Sequence, residues 1–457
     1  MTEGIFPPAF AARMQRQLPH HWKEFLSVHE RLPSTSIRIN PLKSRPRELE
    51  KVPWTDFGYY LDQRPSFTFD PLFHGGAYYV QEASSMFLEQ ALRQTVDLLR
   101  PLQVLDLCAA PGGKSTHLLS LLNAQSLLVA NETIRSRATV LAENIQKWGT
   151  HNVVVTNNDP EDFQRLEGFF DVMVVDAPCS GEGLFRKDVN ASKEWSEDNV
   201  ALCALRQQRI LSQVWPALKQ NGILIYCTCT YNEKENEDNV DWLVNEKKAE
   251  SIKLKVDSSW GAEEVNTHGI FGYRFYPHKV NGEGFFISVI RKTHEQRDIS
   301  IHRKKTFDHP PTKIKDRLFD WFLQPEATEF IKHDELILAL PKNYLYEIEF
   351  LSKFLKVIQK GTAIATAKHD KLIPEHAFAL AVNMKASNFN ATDLSFDDAI
   401  AYLRKDVLNL SSEKGGFTLM NYQSVPIGWA NLLGSRMNNL YPSAWRIRND
   451  YHPTIEG

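Results

Sequence analysis

Five apolar, β-branched runs separated by amphipathic stretches dominate the middle of the chain: QVLDL (103–107), SLLVANE (126–132), NVVVTNND (152–159), FDVMVVDAPC (170–179) and GILIYCTC (222–229). The intervals carry helical patterns at 115–123, 133–148, 199–219 and 233–247. Alternation of this kind predicts an α/β fold with a parallel sheet covered on both faces. A later stretch, FYPHKVNGEGFFISVIRK, reads as a hairpin around Asn281-Gly282 that adds an antiparallel edge.

The flanking zones have a different texture. Residues 1–100 mix a helical start (8–30) with short extended pieces such as 36–40, ending in GGAYYVQEASSMFLEQAL, where glycines give way to a helical pattern. From 293 to 312 the composition turns polar and charged and closes on Pro310-Pro311, which marks a linker. Short apolar pieces with regular turn signals then close the chain, so a β-rich terminal domain is expected. The expected divisions are 1–100, 101–293, 294–378 and 379–457; a length of 457 residues is compatible with three or more domains. A hydrophobic share of 42% and a charged share of 24% exclude wholesale disorder, collagen and coiled coil. The formal charge of −3 excludes a uniformly basic coat, so contact with nucleic acid needs a local patch. No apolar run approaches the ~18 residues of a membrane span, and no membrane partner is expected. MTEGIFPPAFAARMQRQL lacks the continuous apolar core of a signal peptide, and five cysteines are too few for a disulfide framework. The expectation is a reducing cytoplasm with free thiols.

The first strand runs into a glycine turn, VLDLCAAPGGKST (104–116). In doubly wound folds ligands bind at this carboxyl edge. A phosphate-cradling loop would need Gly five residues before Gly113, where Cys108 stands, and GxGxxG is absent. That leaves S-adenosylmethionine, whose nucleoside and amino-acid parts carry no phosphate. An ordinary βα turn is the competing reading. It loses ground because Glu132 ends the next strand, placed for ribose hydroxyls, and Asp159 ends the third, placed for an adenine. Asp106 makes a third acid at a strand end.

The fourth strand ends in Asp176, Ala177, Pro178 and Cys179, and the fifth in Cys227, Thr228 and Cys229. Inert packing is the usual fate of a buried thiol. A metal site is the other alternative, but C-x-C is not the usual zinc spacing and no His lies within these motifs, so no metal is expected. Cytosine methylation supplies a chemical reason for the pair. Carbon 5 of cytosine is a poor nucleophile; a thiolate adding to carbon 6 makes it enamine-like and able to take a sulfonium methyl. A carboxyl group such as Asp176 suits the ring nitrogen N3, which must accept a proton or hydrogen bond as the thiolate adds. A second thiol can assist when the proton on carbon 5 leaves and the enzyme is expelled.

LDLCAAPGGKSTHL, VVDAPCSGEG, YCTCTYNEKENE and the upstream YYVQEASSM closely resemble the Nol–Nop–Sun family of RNA (cytosine-5-)methyltransferases, in family order and over about residues 1–293. The resemblance implies a Rossmann-like methyltransferase sheet with an N-terminal α/β extension that binds RNA. It implies Cys229 as nucleophile and Cys179 as the group assisting release. It also implies S-adenosylmethionine contacts at Cys108, Ala109, Ala110, Pro111, Gly112, Gly113 and Lys114, with Glu132, Asp159 and Asp176. Thr230 stands where the family often has Ser, and the hydroxyl is retained. The C-terminal part, through GWANLLGSRMNNLYPSAWRI, is similar to the PUA-like RNA-binding appendage of the bacterial 16S ribosomal RNA branch, whose F-type enzymes methylate a decoding-site cytidine. Arg436, Arg446 and Arg448 interleaved with Trp429, Tyr441 and Trp445 suit phosphate contact and base stacking, while the run Arg303-Lys304-Lys305 reads equally as a phosphate contact or a solvated charge run. The expected partner is therefore 16S ribosomal RNA within the small subunit, with no DNA, and the expected state is a monomer. The other readings are methylation of 23S ribosomal RNA or tRNA, a DNA cytosine-5 enzyme using Cys179 as nucleophile, and a non-catalytic assembly factor.

Overall fold

The structure, a computed structural model, describes residues 6–44, 48–296, 299–301, 307–369, 371–408, 410, 415–434 and 436–449. The five apolar runs form parallel strands Gln103–Asp106, Leu127–Asn131, Val153–Thr156, Phe170–Asp176 and Leu218–Thr228. Their Val, Leu and Ile side chains are almost wholly buried on both faces, which is why they pair in the interior of one sheet. Gln103–Asp106 lies in the middle. The chain steps outward to Leu127–Asn131 and Val153–Thr156, then crosses back to Phe170–Asp176 and Leu218–Thr228 on the other side. That reversal puts a topological switch point at the carboxyl end of Asp106, where a crevice opens.

The covering helices follow their sequence patterns with boundaries set by local chemistry. Arg135–Trp148 buries Ala138, Leu141, Ala142, Ile145 and Trp148 and stops at Gly149, whose φ of 91° ends the helix. Glu197–Val214 begins two residues before the expected Asn199 because Ser196 caps it through the Asn199 N–H, and Pro216 ends it early. The last helix covering this sheet in the expected series is Glu237–Lys247; residues 233–236, expected to be helical, form turns from which Glu235 and Asn236 bond Ser180, Thr228 and Thr230.

The antiparallel edge is present but built differently from the expectation. Phe285–Arg291 pairs with Leu218–Thr228 and with Ile270–Phe275, and Ile270–Phe275 pairs with Glu263–Thr267. The two-residue turn is His268-Gly269, both with positive φ (52° and 85°), whereas Asn281-Gly282 lies in a longer connection. That connection is held elsewhere: Glu283 N–H donates to Glu82 Oε1 at 2.8 Å, and Ser84 Oγ donates to the Glu283 carbonyl at 2.9 Å. At the opposite edge Val357–Lys360 adds antiparallel to Val153–Thr156, so the catalytic sheet extends beyond residue 293.

The N-terminal helices Pro8–Gln17 and Trp22–His29 bury Phe10, Met14, Leu18 and Phe25 against Phe185, Trp195, Tyr231 and Tyr276. Thr35–Ile39, Gly58–Leu61 and Tyr78–Val80 form a separate three-stranded sheet. Beyond residue 312 there are two further four-stranded sheets. One is Thr328–His333, Leu336–Pro341, Thr362–Lys368 and Lys371–Pro374; the other is Asn390–Asp393, Gly416–Tyr422, Val425–Leu433 and Arg436–Asn439. In this terminal unit the expected stacking aromatics are corrected. Trp429 is fully buried and Tyr441 nearly so, because Trp429 packs with Phe378 and Ala379 of the short helix His376–Ala379, and Tyr441 with Ala399, Ile400 and Leu403 of helix Phe396–Arg404. Trp445 is half-buried against His376, and Arg436, Arg446 and Arg448 are exposed. Arg303-Lys304-Lys305 lies outside the described residues. Among the described residues no helix is long and apolar enough to cross a membrane.

Candidate active site

The glycine turn leaves the sheet at the switch point and opens helix Gly113–Leu121. Gly112 takes φ 115°, a conformation that L side chains rarely adopt. Helix Arg135–Trp148 pins the turn: Arg137 Nη2 donates to the Ala110 carbonyl at 2.9 Å, and Asn144 Nδ2 to the Pro111 carbonyl at 2.8 Å. Asp106 is buried beneath it and accepts from Ser115 Oγ at 2.6 Å; burial pushes its carboxyl up to about 7, with that hydrogen bond opposing. Asp106 therefore secures the loop to the strand and is absent from the cavity wall, unlike Glu132 and Asp159.

A cavity of about 450 Å³ opens above these strand ends. Cys108, Ala110, Glu132, Asp159, Asp176, Cys179 and Cys229 all line it. Ala109, Pro111, Gly112, Gly113 and Lys114 do not; they form the turn behind it. Lys114 still acts at the wall, because its Nζ lies 2.8 Å from Asp176 Oδ2. Burial opposes the charge on Lys114, but the Asp176 carboxylate outweighs it and the ammonium is held more firmly protonated than usual. Glu132 Oε1 accepts the Ile134 N–H at 2.9 Å, and Arg137 Nη1 lies 3.4 Å from Oε2. Asp159 accepts the Glu161 N–H and meets the fork of Arg209 at 3.1 and 3.3 Å. Each carboxylate offers about four acceptor sites, so acceptor capacity remains on both. The volume falls in the roughly 300–1,000 Å³ range of small-molecule sites, and the wall mixes the carboxylates Glu132, Asp159 and Asp176 with Arg137, Arg206 and Arg209. Sequence reasoning missed Arg137, Leu184, Arg206, Arg209 and Ile210, which also line the cavity. The arginines three residues apart on one helix were the available signal.

Cys179 Sγ and Cys229 Sγ stand 3.2 Å apart at one end of this cavity. The hydrogen bond with Cys229, then burial, pushes the Cys179 thiol well up, so Cys179 stays protonated beside its neighbour. Cys227 is fully buried in the sheet core, and burial pushes its thiol up as well. The thiols at the cavity are thus those of Cys108, Cys179 and Cys229, and Cys108 is likewise held neutral by burial. Among the described residues no group of three His, Cys, Asp or Glu is placed to hold a metal ion.

A parallel sheet with Glu132, Asp159 and Asp176 on the wall of a cavity at its switch point is an architecture of S-adenosylmethionine-dependent methyltransferases, the class to which the comparisons assign this chain. Comparison with known proteins narrows it. The family model described as 16S rRNA methyltransferase RsmB/F matches residues 96–291, that of the N-terminal domain of 16S rRNA methyltransferase RsmF matches 6–83, and that of the methyltransferase RsmF PUA domain matches 389–447. The ribosomal RNA small subunit methyltransferase F of Escherichia coli O127:H6 is 31% identical over 464 residues, covering 96% of each chain. Its namesake from Shigella boydii serotype 4 is 31% identical over 466 residues, again covering 96% of each. Among solved structures, a methyltransferase homolog protein from Pyrococcus horikoshii is 28% identical with a TM-score of 0.54, covering 63% of this chain and 95% of that one. NSun6 from Pyrococcus horikoshii, solved with SFG, shares the fold at 20% identity and a TM-score of 0.52, covering 64% of this chain and 99% of that one. The chain belongs to the 16S rRNA methyltransferase RsmB/F family.

Proposed function

We propose that this enzyme methylates carbon 5 of a single cytidine in 16S ribosomal RNA, in the decoding-site region, through a covalent bond between Cys229 and the base. The observation that carries the reading is the pair of thiols 3.2 Å apart beside Asp176 in the cofactor cavity. S-adenosylmethionine, held by the Cys108–Lys114 turn with Glu132, Asp159 and Asp176, supplies an electrophilic methyl group. Cys229 as thiolate forms an S–C6 bond and pushes an electron pair toward carbon 5, where the new C–C bond is made. Asp176 enters as the carboxylic acid and gives its proton to the ring nitrogen N3 as the S–C6 bond forms, with Lys114 as counter-ion to the carboxylate left behind, and takes that proton back as the S–C6 bond breaks. The proton on carbon 5 then leaves to a base, the electron pair re-forms the C5–C6 double bond, and the S–C6 bond breaks. Cys179, held as a neutral thiol, hands a proton to the departing Cys229 sulfur.

The RNA is recognised outside the cavity, by the N-terminal extension and by residues 389–447, with the exposed Arg436, Arg446 and Arg448 on phosphates. The proposed organisation is an RNA-binding extension over 1–100, the catalytic unit over 101–293 with the edge strand Val357–Lys360 added to its sheet, a mixed unit over the rest of 294–378 and a PUA unit over 379–457, acting as a monomer on the small subunit. Incubation with methyl-labelled S-adenosylmethionine and either 16S ribosomal RNA or small subunits tests it. Labelled 5-methylcytidine at one position is expected; label in 23S ribosomal RNA, tRNA or DNA alone would sink the reading.

A further inference from the structure

Cys179 and Cys229 sit on separate loops, one beyond the strand ending at Asp176 and the other beyond the strand ending at Thr228. Strand pairing fixes Asp176 against Cys227, and beyond it the backbone joins the two loops only where Ala177 N–H meets the Cys227 carbonyl and Gly183 N–H the Cys229 carbonyl, so side chains carry most of the link. Two fully buried carboxylates cross between them. Glu182, three residues after Cys179, accepts the Tyr231 N–H at 3.2 Å and Asn232 Nδ2 at 3.1 Å on the other loop. Glu235, six residues after Cys229, reaches the opposite way and accepts the Ser180 N–H at 2.9 Å and Ser180 Oγ at 2.5 Å. Outside the loops, Glu182 meets Arg13 Nη2 at 2.6 Å and Trp195 Nε1 at 3.0 Å, and Glu235 meets Gln207 Nε2 at 3.0 Å.

The hydroxyls next to the two cysteines complete the link. Ser180 Oγ and Thr230 Oγ1 are 3.0 Å apart, and Asn232 N–H donates to Thr230 Oγ1 at 3.2 Å. With the Glu235 carboxylate as final acceptor, one direction satisfies every donor: Asn232 N–H to Thr230, Thr230 hydroxyl to Ser180, Ser180 hydroxyl to Glu235. Burying Glu235 on neutral donors alone carries a desolvation penalty that a simple loop contact would not need. A carboxylate is nonetheless the side chain that can accept from all three donors at once. An amide at this position would turn an N–H group toward Ser180 or Gln207.

We propose that Glu182 and Glu235 are positioning residues, forming a reciprocal clasp that sets the distance between the Cys179 and Cys229 thiols, with the Ser180–Thr230 hydroxyl pair as its inner link. The catalytic consequence rests on the function proposed above; the effect on the thiols does not.

Phenylarsine oxide reads the spacing directly in the full-length protein. It takes two neighbouring thiols to form two As–S bonds, releasing one water and consuming both S–H protons. The wild-type chain is expected to bind it tightly, and Cys179→Ala to lose that capture. Glu235→Gln is expected to weaken capture about ten-fold or more and to lower kcat for RNA methylation about 10²-fold, the scale of a misplacement near 1 Å, with KM for S-adenosylmethionine within about two-fold. Thermal melting and a calorimetric titration with S-adenosylmethionine report whether each variant is folded. If Glu235→Gln does not fold, Thr230→Val carries the test, because it breaks the inner link and leaves both carboxylates in place. A folded, cofactor-binding variant that captures the arsenical as tightly as wild type overturns the clasp, whatever happens to kcat. Weakened capture in a protein whose wild type methylates no RNA upholds the clasp and rejects the function.

Discussion

Cys229 and Cys179 share a cavity, and the roles proposed for them lead to opposite outcomes on deletion. Cys229→Ala removes the attacker, so neither methylated RNA nor a protein–RNA adduct is expected. Cys179→Ala leaves attack and methyl transfer intact and stalls elimination, so an adduct that survives denaturing electrophoresis should accumulate. A gel of both variants with RNA and S-adenosylmethionine decides it, and an adduct from Cys229→Ala would reverse the assignment. Glu132 is testable separately. Its nearly buried carboxylate lines the cavity where ribose hydroxyls are proposed to bind. Glu132→Ala should weaken S-adenosylmethionine binding by ~1.5–3 kcal/mol, the range for hydrogen bonds to a charged group. Unchanged affinity in a calorimetric titration would remove Glu132 from the site.

The loops beyond two parallel strands do the work that a single helix or strand cannot. Where the Cys179 loop meets the Cys229 loop, Gly183 N–H donates to the Cys229 carbonyl at 2.8 Å. A Cβ on Gly183 would stand 2.5 Å from the Gly284 carbonyl oxygen and 2.8 Å from that of Cys229, both backbone atoms with no freedom to rotate away. Gly183→Ala should therefore cost about 1–3 kcal/mol of stability and spread the two loops. Urea unfolding measures the first effect, and loss of the adduct in a Cys179→Ala background measures the second. A variant with wild-type stability and adduct yield would show that the loops yield at little cost. The expected helix over 233–247 failed at its start for a related reason. Glu235 and Asn236 look like helix formers and caps in sequence, yet both are spent holding Ser180, Thr228 and Thr230.

Across the whole molecule the terminal unit is seated on the catalytic and N-terminal parts by buried neutral histidines. His74 Nδ1 lies 3.2 Å from Tyr441 Oη, and His376 packs edge-on to Tyr441 and Trp445. Burial first, with Lys147 adding repulsion, lowers His74 to about 4 and His376 to about 3. The unfolded chain binds protons at these sites near pH 6.5 and the folded chain does not, so stability is full above pH 6.5 and falls as the pH drops toward 4. The expected slope is about 1.4 kcal/mol per pH unit for each fully buried group within that window. His74→Asn should flatten the decline in melting temperature between pH 7 and 5; an unchanged decline would place the acid sensitivity elsewhere. Truncation after residue 378 removes the sheet that carries Arg436. It should spare S-adenosylmethionine binding, because the cavity and the edge strand Val357–Lys360 remain. RNA affinity should fall, by an amount that shrinks as salt rises. Equal RNA affinity for truncated and full-length chains at two salt concentrations would leave this unit a purely structural role.

Local sequence determined what local physics controls. Runs of Val, Leu and Ile between amphipathic stretches were enough for the five parallel strands, because burial on both faces demands such runs. The glycine turn and the acids after successive strands were enough to locate the edge of the sheet at which the cavity opens. Contacts between distant segments were decided only in three dimensions. Val357–Lys360 reads as an unremarkable VIQK, and only its pairing with Val153–Thr156 makes it part of the catalytic sheet. Trp429 and Tyr441 read as stacking platforms beside arginines, but a covering helix turned them into core, since an aromatic ring gains more from packing than from water. The thiols are 50 residues apart in the chain and 3.2 Å apart in space. Nothing in the order of residues reveals that distance, because it is set by two carboxylates whose partners lie on each other's loop.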